Sequence, residues 1–277
     1  MKIKEVLNIG IEKLKYGKVC EPNLKAKLLL MFYLNCSKED IIIYEDSEIE
    51  KDVYDSFLLG ITQLLKGKPI QYITNAQEFM GLKFYVDENV LIPRCDTEIL
   101  IEEIINIVKT LKEDIKILDL CTGSGNICVS LAKYLNNVDI YASDISENVL
   151  EIAKRNAKNH NVNITFSQSD LFEKINEKFN IIISNPPYIE TDIINTLSEE
   201  VKKEPVLALD GGPDGLDFYR KIAKQSRNYL TENGIIALEI GYNQKEIVID
   251  IFKNEGYRNI YSKKDLSGND RIVICEI

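Results

Sequence analysis

The sequence predicts an α/β protein: a doubly wound, mostly parallel sheet with a terminal antiparallel hairpin, preceded by a small helical domain and a β-hairpin linker. From Ile115 onward, short β-type runs alternate with helical patterns, which is typical of a parallel sheet covered by helices on both faces. The last two β-type runs, Tyr257–Tyr261 and Ile272–Glu276, predict the hairpin. Apolar residues at helical spacing in residues 1–73 predict the helical domain.

The helical domain is predicted from three amphipathic stretches. Val6 and Leu14 belong to the first, Leu24 to Tyr33 form the second after a helix start at Pro22, and Val53 to Leu65 form the third. The domain contains no chemical motif. A small helical domain in this position either packs only or recognises a partner, and we assign residues 1–73 to recognition, which is substrate recognition if the second domain is an enzyme.

Residues 74–94 change to a β-type pattern. The runs Gln77–Phe79, Lys83–Val86 and Val90–Ile92 are separated by turn residues at Gly81 and Asp87–Asn89. They predict a hairpin that links the helical domain to a second domain, residues 95–277. The elements predicted there are helices at 99–111, 125–135, 147–159, 216–230 and 244–253, and strands at 115–118, 138–143, 162–167, 179–184 and 235–240.

Composition excludes several classes of function. The net charge is −10, and because residues 1–74 contain equal numbers of lysines and acidic residues, the acidic excess lies in residues 75–277. An acidic surface repels phosphate backbones, so we expect no long nucleic acid as substrate. Six cysteines without C-x-x-C spacing and a single histidine predict no metal site, and reduced thiols of a cytoplasmic protein. No apolar run of about 18 residues is present, so no membrane span is expected.

The stretch Asn185-Pro186-Pro187-Tyr188 follows the buried run Ile181–Ser184. Each proline lacks an N–H and fixes φ, so the strand ends and Asn185 is held at the carboxyl edge of the sheet, where such sheets bind ligands. The Asn185 side-chain oxygen and the Pro186 carbonyl suit the two protons of an –NH2 group, and Tyr188 adds an aromatic face. The pattern predicts attack of an amide or aryl amine nitrogen on an activated electrophile, through positioning and electrostatics. The alternative is a structural turn after a strand.

A second motif, Asp119–Gly125, follows the first strand of the alternating region and opens a helix. Gly123 and Gly125 permit a tight turn and a close backbone approach by a ligand, and the helix start offers free N–H groups to a carboxylate or phosphate. Asp144 ends the next strand, where a carboxylate can bind both ribose hydroxyls. Asp170 follows the third strand, close to where an adenine would lie. Together they predict a nucleoside site.

The nucleoside is expected to belong to S-adenosylmethionine. A dinucleotide fingerprint requires a third glycine, and Cys128 occupies that position. S-adenosylmethionine has one nucleoside, an amino acid tail whose carboxylate suits the helix start, and a reactive sulfonium; Asp119 can help to hold the ammonium. Its methyl group would face the end of the fourth strand. The predicted cofactor-binding residues are Asp119, Cys121, Thr122, Gly123, Ser124, Gly125, Asp144, Asp170, Leu171 and Asn185.

The two motifs resemble those of class I (Rossmann-like) methyltransferases that modify an amide or exocyclic amino nitrogen. The stretches Leu91–Glu98, Glu204-Pro205 and Ala208–Leu216, with the N-terminal helical domain, are similar to the protein-(glutamine-N5) methyltransferases of peptide chain release factors. The resemblance extends from about Gly67 to Arg271, and rests on helical character before that.

The resemblance implies that the substrate is the glutamine of the Gly-Gly-Gln motif of release factors. It places cofactor contacts on Cys121–Gly125, Asp144, Leu171 and Asn185, with Asn185, Pro186 and Tyr188 catalytic and Asn185–Tyr188 contacting the substrate. This chain has Cys121 where the loop often begins with glycine. It has Leu171 where some members carry an aromatic residue near the adenine; Phe172 is a candidate substitute.

Three other functions use similar residues. An adenine-N6 or guanine-N2 nucleic-acid methyltransferase uses an Asn-Pro-Pro-Tyr motif in the same way. The acidic charge of residues 75–277 does not favour a nucleic-acid substrate. A glutamine methyltransferase that acts on a ribosomal protein is a closer alternative. The pattern of Pro93-Arg94 and Thr97-Glu98 favours release factors over a ribosomal protein as the substrate. A protein that binds the cofactor without turnover would not need an intact Asn185–Tyr188 stretch.

Overall fold

The computed structural model describes residues 1–111 and 114–277. Contacts within the chain divide it into two compact units. The first comprises Met1–Ala76 together with Ser198–Lys203, and the second comprises Gln77–Leu197 and Glu204–Ile277. No helix within the described residues is long and apolar enough to cross a membrane.

The first unit is helical. Its core contains Leu14 and Phe57, both of which are completely buried, and its helix α3 begins at the N-cap Ser37, whose hydroxyl accepts the Asp40 N–H. A lysine of α2, Lys25, forms a partly buried ion pair with Glu200 of the Ser198–Lys203 segment. The helices are α1 (Ile3–Tyr16), α2 (Pro22–Leu34), α3 (Lys38–Ile43), α4 (Lys51–Leu65) and α5 (Ile70–Thr74).

The second unit begins with a short hairpin and continues as a seven-stranded sheet. The sheet order is β5-β4-β3-β6-β7-β9-β8, parallel from β5 to β7, with β9 antiparallel to both β7 and β8. This confirms the predicted doubly wound sheet with a terminal hairpin. The strands are β1 (Gln77–Phe79), β2 (Leu82–Phe84), β3 (Ile115–Leu120), β4 (Val138–Asp144), β5 (Thr165–Gln168), β6 (Phe179–Ser184), β7 (Leu230–Glu239), β8 (Arg258–Lys264) and β9 (Asp270–Glu276).

Helices cover both faces of this sheet because its strands are apolar on both sides. Ile117 and Ile183 belong to the cluster shared with α6 and α7, whereas Leu118 and Ile182, one residue away, belong to the cluster shared with α10 and α11. The helices are α6 (Glu98–Val108), α7 (Asn126–Tyr134), α8 (Glu147–Asn159), α9 (Thr191–Ile194), α10 (Asp217–Ser226) and α11 (Lys245–Asn254).

Several predicted elements differ from the observed ones. The run Val90–Ile92 is not a strand; Val90 and Ile92 are buried, so their apolar character reflects burial and not pairing. The helix predicted to end at Leu230 ends at Ser226, because Leu230 already pairs with Phe179 as the first residue of β7. The predicted strand 162–167 begins only at Thr165.

Candidate active site

The site is a cavity of about 490 Å³ in the second unit, at the carboxyl edge of the parallel strands. Its wall comes from the loops after β3, β4, β5 and β6, from the segment before α6 and from the turn around Ala208. β3 pairs with β4 on one side and with β6 on the other, so the strand order reverses there, which is where open α/β sheets bind ligands.

The loop after β3 lines one end of the cavity. Gly123 has φ +56°, and a Cβ added there would meet no protein atom within 4 Å, so the backbone is open to a ligand. The Gly123 N–H donates to Asp144 Oδ2 at 3.1 Å, and the Ser146 N–H donates to Asp144 Oδ1 at 3.2 Å. Burial raises the pKa of Asp144, and these N–H groups oppose the rise. The carboxylate is therefore held in place at the cavity wall.

Asp119 lies behind this loop and is completely buried. Its Oδ2 accepts the Thr122 hydroxyl at 2.6 Å and the Cys128 N–H at 3.2 Å, whereas Oδ1 has no hydrogen-bond partner within the described residues. Burial raises the pKa of Asp119 to about 7, against the opposing hydrogen bonds. Asp119 therefore shapes the loop from behind and retains one free acceptor.

Asn156 of α8 ties this loop to the chain that follows the hairpin. Its side-chain amide donates to the carbonyls of Ser124 and Tyr85, both at 2.9 Å, and its oxygen accepts the Tyr85 N–H at 2.7 Å. Asn156 is completely buried, so these bonds satisfy its polar groups in the core. The sequence analysis did not identify this residue, because a lone asparagine within a helix carries no motif.

The stretch after β6 is held by its backbone. The Ser184 hydroxyl donates to the Leu120 carbonyl at 2.7 Å, which joins the ends of β6 and β3. The Gln244 amide donates to the Tyr188 carbonyl at 2.9 Å. A Cβ at Gly211 would lie 2.7 Å from Tyr188 Cα, so only glycine permits this approach. The Ala208–Leu216 stretch thus serves partly to brace Tyr188.

The motifs Pro93-Arg94 and Glu204-Pro205 meet in the structure. Glu204 is buried, accepts the Ile92 N–H at 3.0 Å and forms an ion pair with Arg94, which lines the cavity. Burial of a carboxylate is tolerated where hydrogen bonds and an opposite charge compensate it. The pair holds the segment before α6 against the cavity.

Two further residues stand behind Asn185. Its Nδ2 donates to Thr97 Oγ1 at 3.4 Å, and the Thr97 hydroxyl donates to Glu239 Oε2 at 2.6 Å. The Tyr188 hydroxyl donates to the other oxygen of Glu239 at 3.3 Å. Thr97 and Glu239 are both 1% exposed. Burial raises the pKa of Glu239 to about 7, opposed by Thr97 and by the charge of Arg271.

The cavity brings together most of the residues predicted for the site. Gly125 and Asp119 are not part of the wall; a Cβ at Gly125 would lie 3.1 Å from the Ala153 side chain, so this glycine serves loop–helix packing. Pro186 and Tyr188 also lie outside the wall, and the Tyr188 ring packs against the core. The predicted residues in the wall are Cys121, Thr122, Gly123, Ser124, Asp144, Asp170, Leu171, Asn185 and Pro187.

Phe172, the candidate aromatic residue of the sequence analysis, does not line the cavity. It is 1% exposed, and its ring stacks on Tyr229 with centroids 4.7 Å apart. Leu171 lines the cavity instead and has φ +47°. Cys121 also has a left-handed backbone, at φ +57°, which explains why glycine suits this position. Non-glycine residues in this region are strained and cluster at functional sites.

Besides Asn156, Thr97 and Glu239 are site residues whose roles the sequence does not reveal. Glu239 ends β7 on the same edge as Asp119 and Asp144, and an acidic residue at a strand end was the signal that identified those two. It was overlooked because Glu239 lies inside the predicted strand 235–240. Thr97 was noted only as part of a motif.

Two family models match the chain. The PrmC N-terminal domain matches residues 5–74, and the methyltransferase small domain matches residues 96–206. The release factor glutamine methyltransferase of Clostridium acetobutylicum is 40% identical over 99% of this chain and 98% of its own length. That of Clostridium botulinum is 40% identical over the same shares. A crystal structure of a methyltransferase from Pyrococcus furiosus has a TM-score of 0.53 at 19% identity, covering 78% of this chain and 96% of that one, which shows the fold.

Proposed function

Because this chain belongs to the release factor glutamine methyltransferase family, we propose that it transfers a methyl group from S-adenosylmethionine to the side-chain amide nitrogen of the glutamine in the Gly-Gly-Gln motif of peptide chain release factors. The observation that carries the proposal is one cavity with Asp144 and the open Gly123 backbone in its wall together with Asn185.

The cofactor end of the cavity suits a nucleoside with a cationic tail. Asp144 is placed to accept the ribose hydroxyls, and Leu171 and Val149 supply an apolar surface for the base. Asp170 in the wall and Asp119 behind it make this end acidic, which favours an ammonium and a sulfonium over the phosphates of a dinucleotide. When bound, S-adenosylmethionine supplies a methyl group on a positively charged sulfur, an electrophile that needs no further activation.

The acceptor end positions the glutamine. Asn185 Oδ1, in the wall, accepts an N–H group of the substrate amide, which reduces delocalisation of its lone pair and aims the nitrogen at the methyl group. The Pro186 carbonyl, the second acceptor predicted from the sequence, belongs to the next residue and lies outside the wall. Tyr188 supports this end through its hydroxyl bond to Glu239 and its packed ring. Arg94, Leu207 and Ala208 complete the wall around the acceptor.

The helical first unit recognises the protein substrate. Its surface exposes large apolar side chains in α3, Ile42 and Ile43, which are 60% and 68% exposed, together with Tyr44. Exposed apolar side chains in a group are typical of protein-binding surfaces. Such a surface supports a protein substrate over a free glutamine.

The test is single-turnover transfer of labelled methyl groups to a purified release factor, followed by mass spectrometry of the Gly-Gly-Gln peptide. We expect one methyl group on the glutamine side chain, and none on a release factor with Gln→Ala in that motif. Ribosomal protein and nucleic acid are run in parallel. Preferential labelling of either, or equal labelling of the Gln→Ala control, would overturn the proposal.

A further inference from the structure

Asn185 serves as an acceptor only if the oxygen of its carboxamide faces the cavity. The oxygen and the NH2 group of a carboxamide are nearly the same size, so the shape of the wall does not select between the two orientations. The selection comes from the hydrogen bond that the opposite side of the group makes.

The structure provides a polar partner on that opposite side. Asn185 Nδ2 donates to Thr97 Oγ1, and the single hydroxyl proton of Thr97 is engaged at 2.6 Å by the buried carboxylate of Glu239. A reversed carboxamide would point its oxygen at a hydroxyl oxygen that has no proton left to donate. Lone pairs would then face each other beside the almost completely buried Thr97, which is unfavourable. No described residue donates a hydrogen bond to Asn185 Oδ1, so this oxygen is free for a ligand.

We infer that Thr97 and Glu239 are positioning residues that set the orientation of the Asn185 carboxamide, so that its oxygen and not its nitrogen meets the substrate amide. This inference deepens the proposed function and rests on it. We call Asn185, Thr97 and Glu239 the orienting chain. The direction of its hydrogen bonds originates at Glu239, because a carboxylate only accepts.

The charge of Glu239 therefore matters. When ionised, it accepts from both Thr97 and Tyr188. When protonated, it becomes a donor; if it donates to Thr97, the threonine proton turns toward Asn185 and favours the reversed carboxamide. The polar groups around Glu239 are Asp96 and Thr97 before α6, Tyr188 after β6, the Tyr219 hydroxyl on its main-chain carbonyl, and Arg271 of β9.

Two substitutions of Thr97 test the chain. Thr97→Val keeps the shape but removes the hydroxyl, and the loss of one hydrogen bond predicts a fall in single-turnover rate of about tenfold with cofactor affinity nearly unchanged. Thr97→Ser retains the hydroxyl and should stay within about twofold of the wild-type rate. Thermal unfolding of all three proteins controls for folding. A wild-type rate in Thr97→Val would overturn the inference.

Nuclear magnetic resonance gives a test that does not depend on turnover. The side-chain NH2 signals of Asn185 are assigned by their loss in Asn185→Asp. They should exchange slowly with solvent in the wild type and in Thr97→Ser, and rapidly in Thr97→Val, where the NH2 group is free to face the cavity. Equal exchange in all three would overturn the inference. A wild type that is inactive on release factor but shows this exchange pattern would overturn the proposed function alone.

The pH profile separates positioning from simple packing. Burial raises the pKa of Glu239 to about 7, so the wild-type rate should fall as pH decreases through that value. Glu239→Gln keeps an oxygen to accept the Thr97 proton but does not titrate, so this acid limb should disappear. If the fall in rate at low pH persists in Glu239→Gln and disappears in Asp119→Asn, the group that titrates is Asp119, at the cofactor end. This result would overturn the role given to the charge of Glu239.

Discussion

The two ends of the cavity each have a buried carboxylate behind them, and the two carboxylates work differently. Asp119, behind the cofactor end, accepts hydrogen bonds from Thr122 and Cys128, residues within nine positions of it in the chain. Glu239, behind the acceptor end, accepts from Thr97 and Tyr188, which lie 142 and 51 positions away. The carboxylate behind the proposed cofactor end is therefore held by local chain, whereas the carboxylate behind the proposed acceptor end is held by distant segments.

The two ends also differ in how precisely they must position a bound group. In the proposed function, the ribose end of the nucleoside is bound by the Gly123 backbone and by Asp144, which one loop and one strand end place in the wall. An amide nitrogen must be aimed within a fraction of an ångström, which requires an acceptor braced from several sides. Asn185 has that bracing through Thr97 and Glu239.

The largest effect is expected at the acceptor end. Asn185→Ala removes the acceptor and leaves a substrate N–H unpaired, and by analogy with oxyanion-hole donors the rate should fall about 10²–10³-fold. Single-turnover methyl transfer with saturating cofactor measures it, with titration calorimetry to check that cofactor still binds. A rate close to wild type would show that the stretch after β6 is a structural turn.

The next effect is expected at the cofactor end, and in affinity. Asp144→Ala removes the carboxylate that we propose accepts the ribose hydroxyls, and each charge-assisted hydrogen bond lost should cost about 1.5–3 kcal/mol of binding free energy. Calorimetry with S-adenosylmethionine measures the change. Asp139→Ala, an exposed acidic residue of the same strand, is the matched control. If both variants bind equally well, Asp144 does not contact the ribose.

A smaller effect concerns stability and pH. The pKa of Asp119 is raised to about 7 in the folded protein, above its unfolded value of about 4. Its contribution to the free energy of unfolding is therefore full below pH 4 and is lost as pH rises through 7. Asp119→Asn preserves the acceptor for Thr122 and Cys128 without titrating, so its urea midpoint should fall less between pH 5 and pH 8. Parallel curves for the two proteins would contradict this pKa shift.

The smallest effect is expected for Cys121. Cys121→Gly removes the strain of a left-handed backbone, which costs about 1–2 kcal/mol, but it also removes the packing of the side chain. Because the two effects oppose each other, the free energy of unfolding should change by less than about 1 kcal/mol. Cys128→Gly is the contrast, because Cys128 lies within α7 and is completely buried. It should be clearly destabilised in urea unfolding. Equal losses in both variants would show that the backbone of Cys121 is not strained.

The sequence by itself determined the fold class and the family, and most of the site residues that it predicted line the cavity. Strand β6 and helix α8 have the predicted bounds, because Ile181–Ser184 is stopped by prolines and Glu147–Asn159 has a clear helical face. The loop Cys121–Gly125, Asp144 and Asn185 follow strand ends, and parallel strands bring their carboxyl ends to one edge. Site residues that follow the ends of strands can therefore be predicted from their spacing along the chain.

Only the tertiary structure decided which distant residues became partners. The pairing of Thr97 with Glu239, of Arg94 with Glu204, and of Gly211 with Tyr188 depends on packing across the sheet edge. Phe172 lies in the core and Leu171 lines the cavity because Leu171 has a left-handed backbone, which turns the chain between the two side chains. The residue type of a leucine does not predict this conformation. Hydrogen-bond direction likewise arises from the assembled chain of groups, since the orientation of Asn185 follows from a carboxylate 54 residues further along the chain.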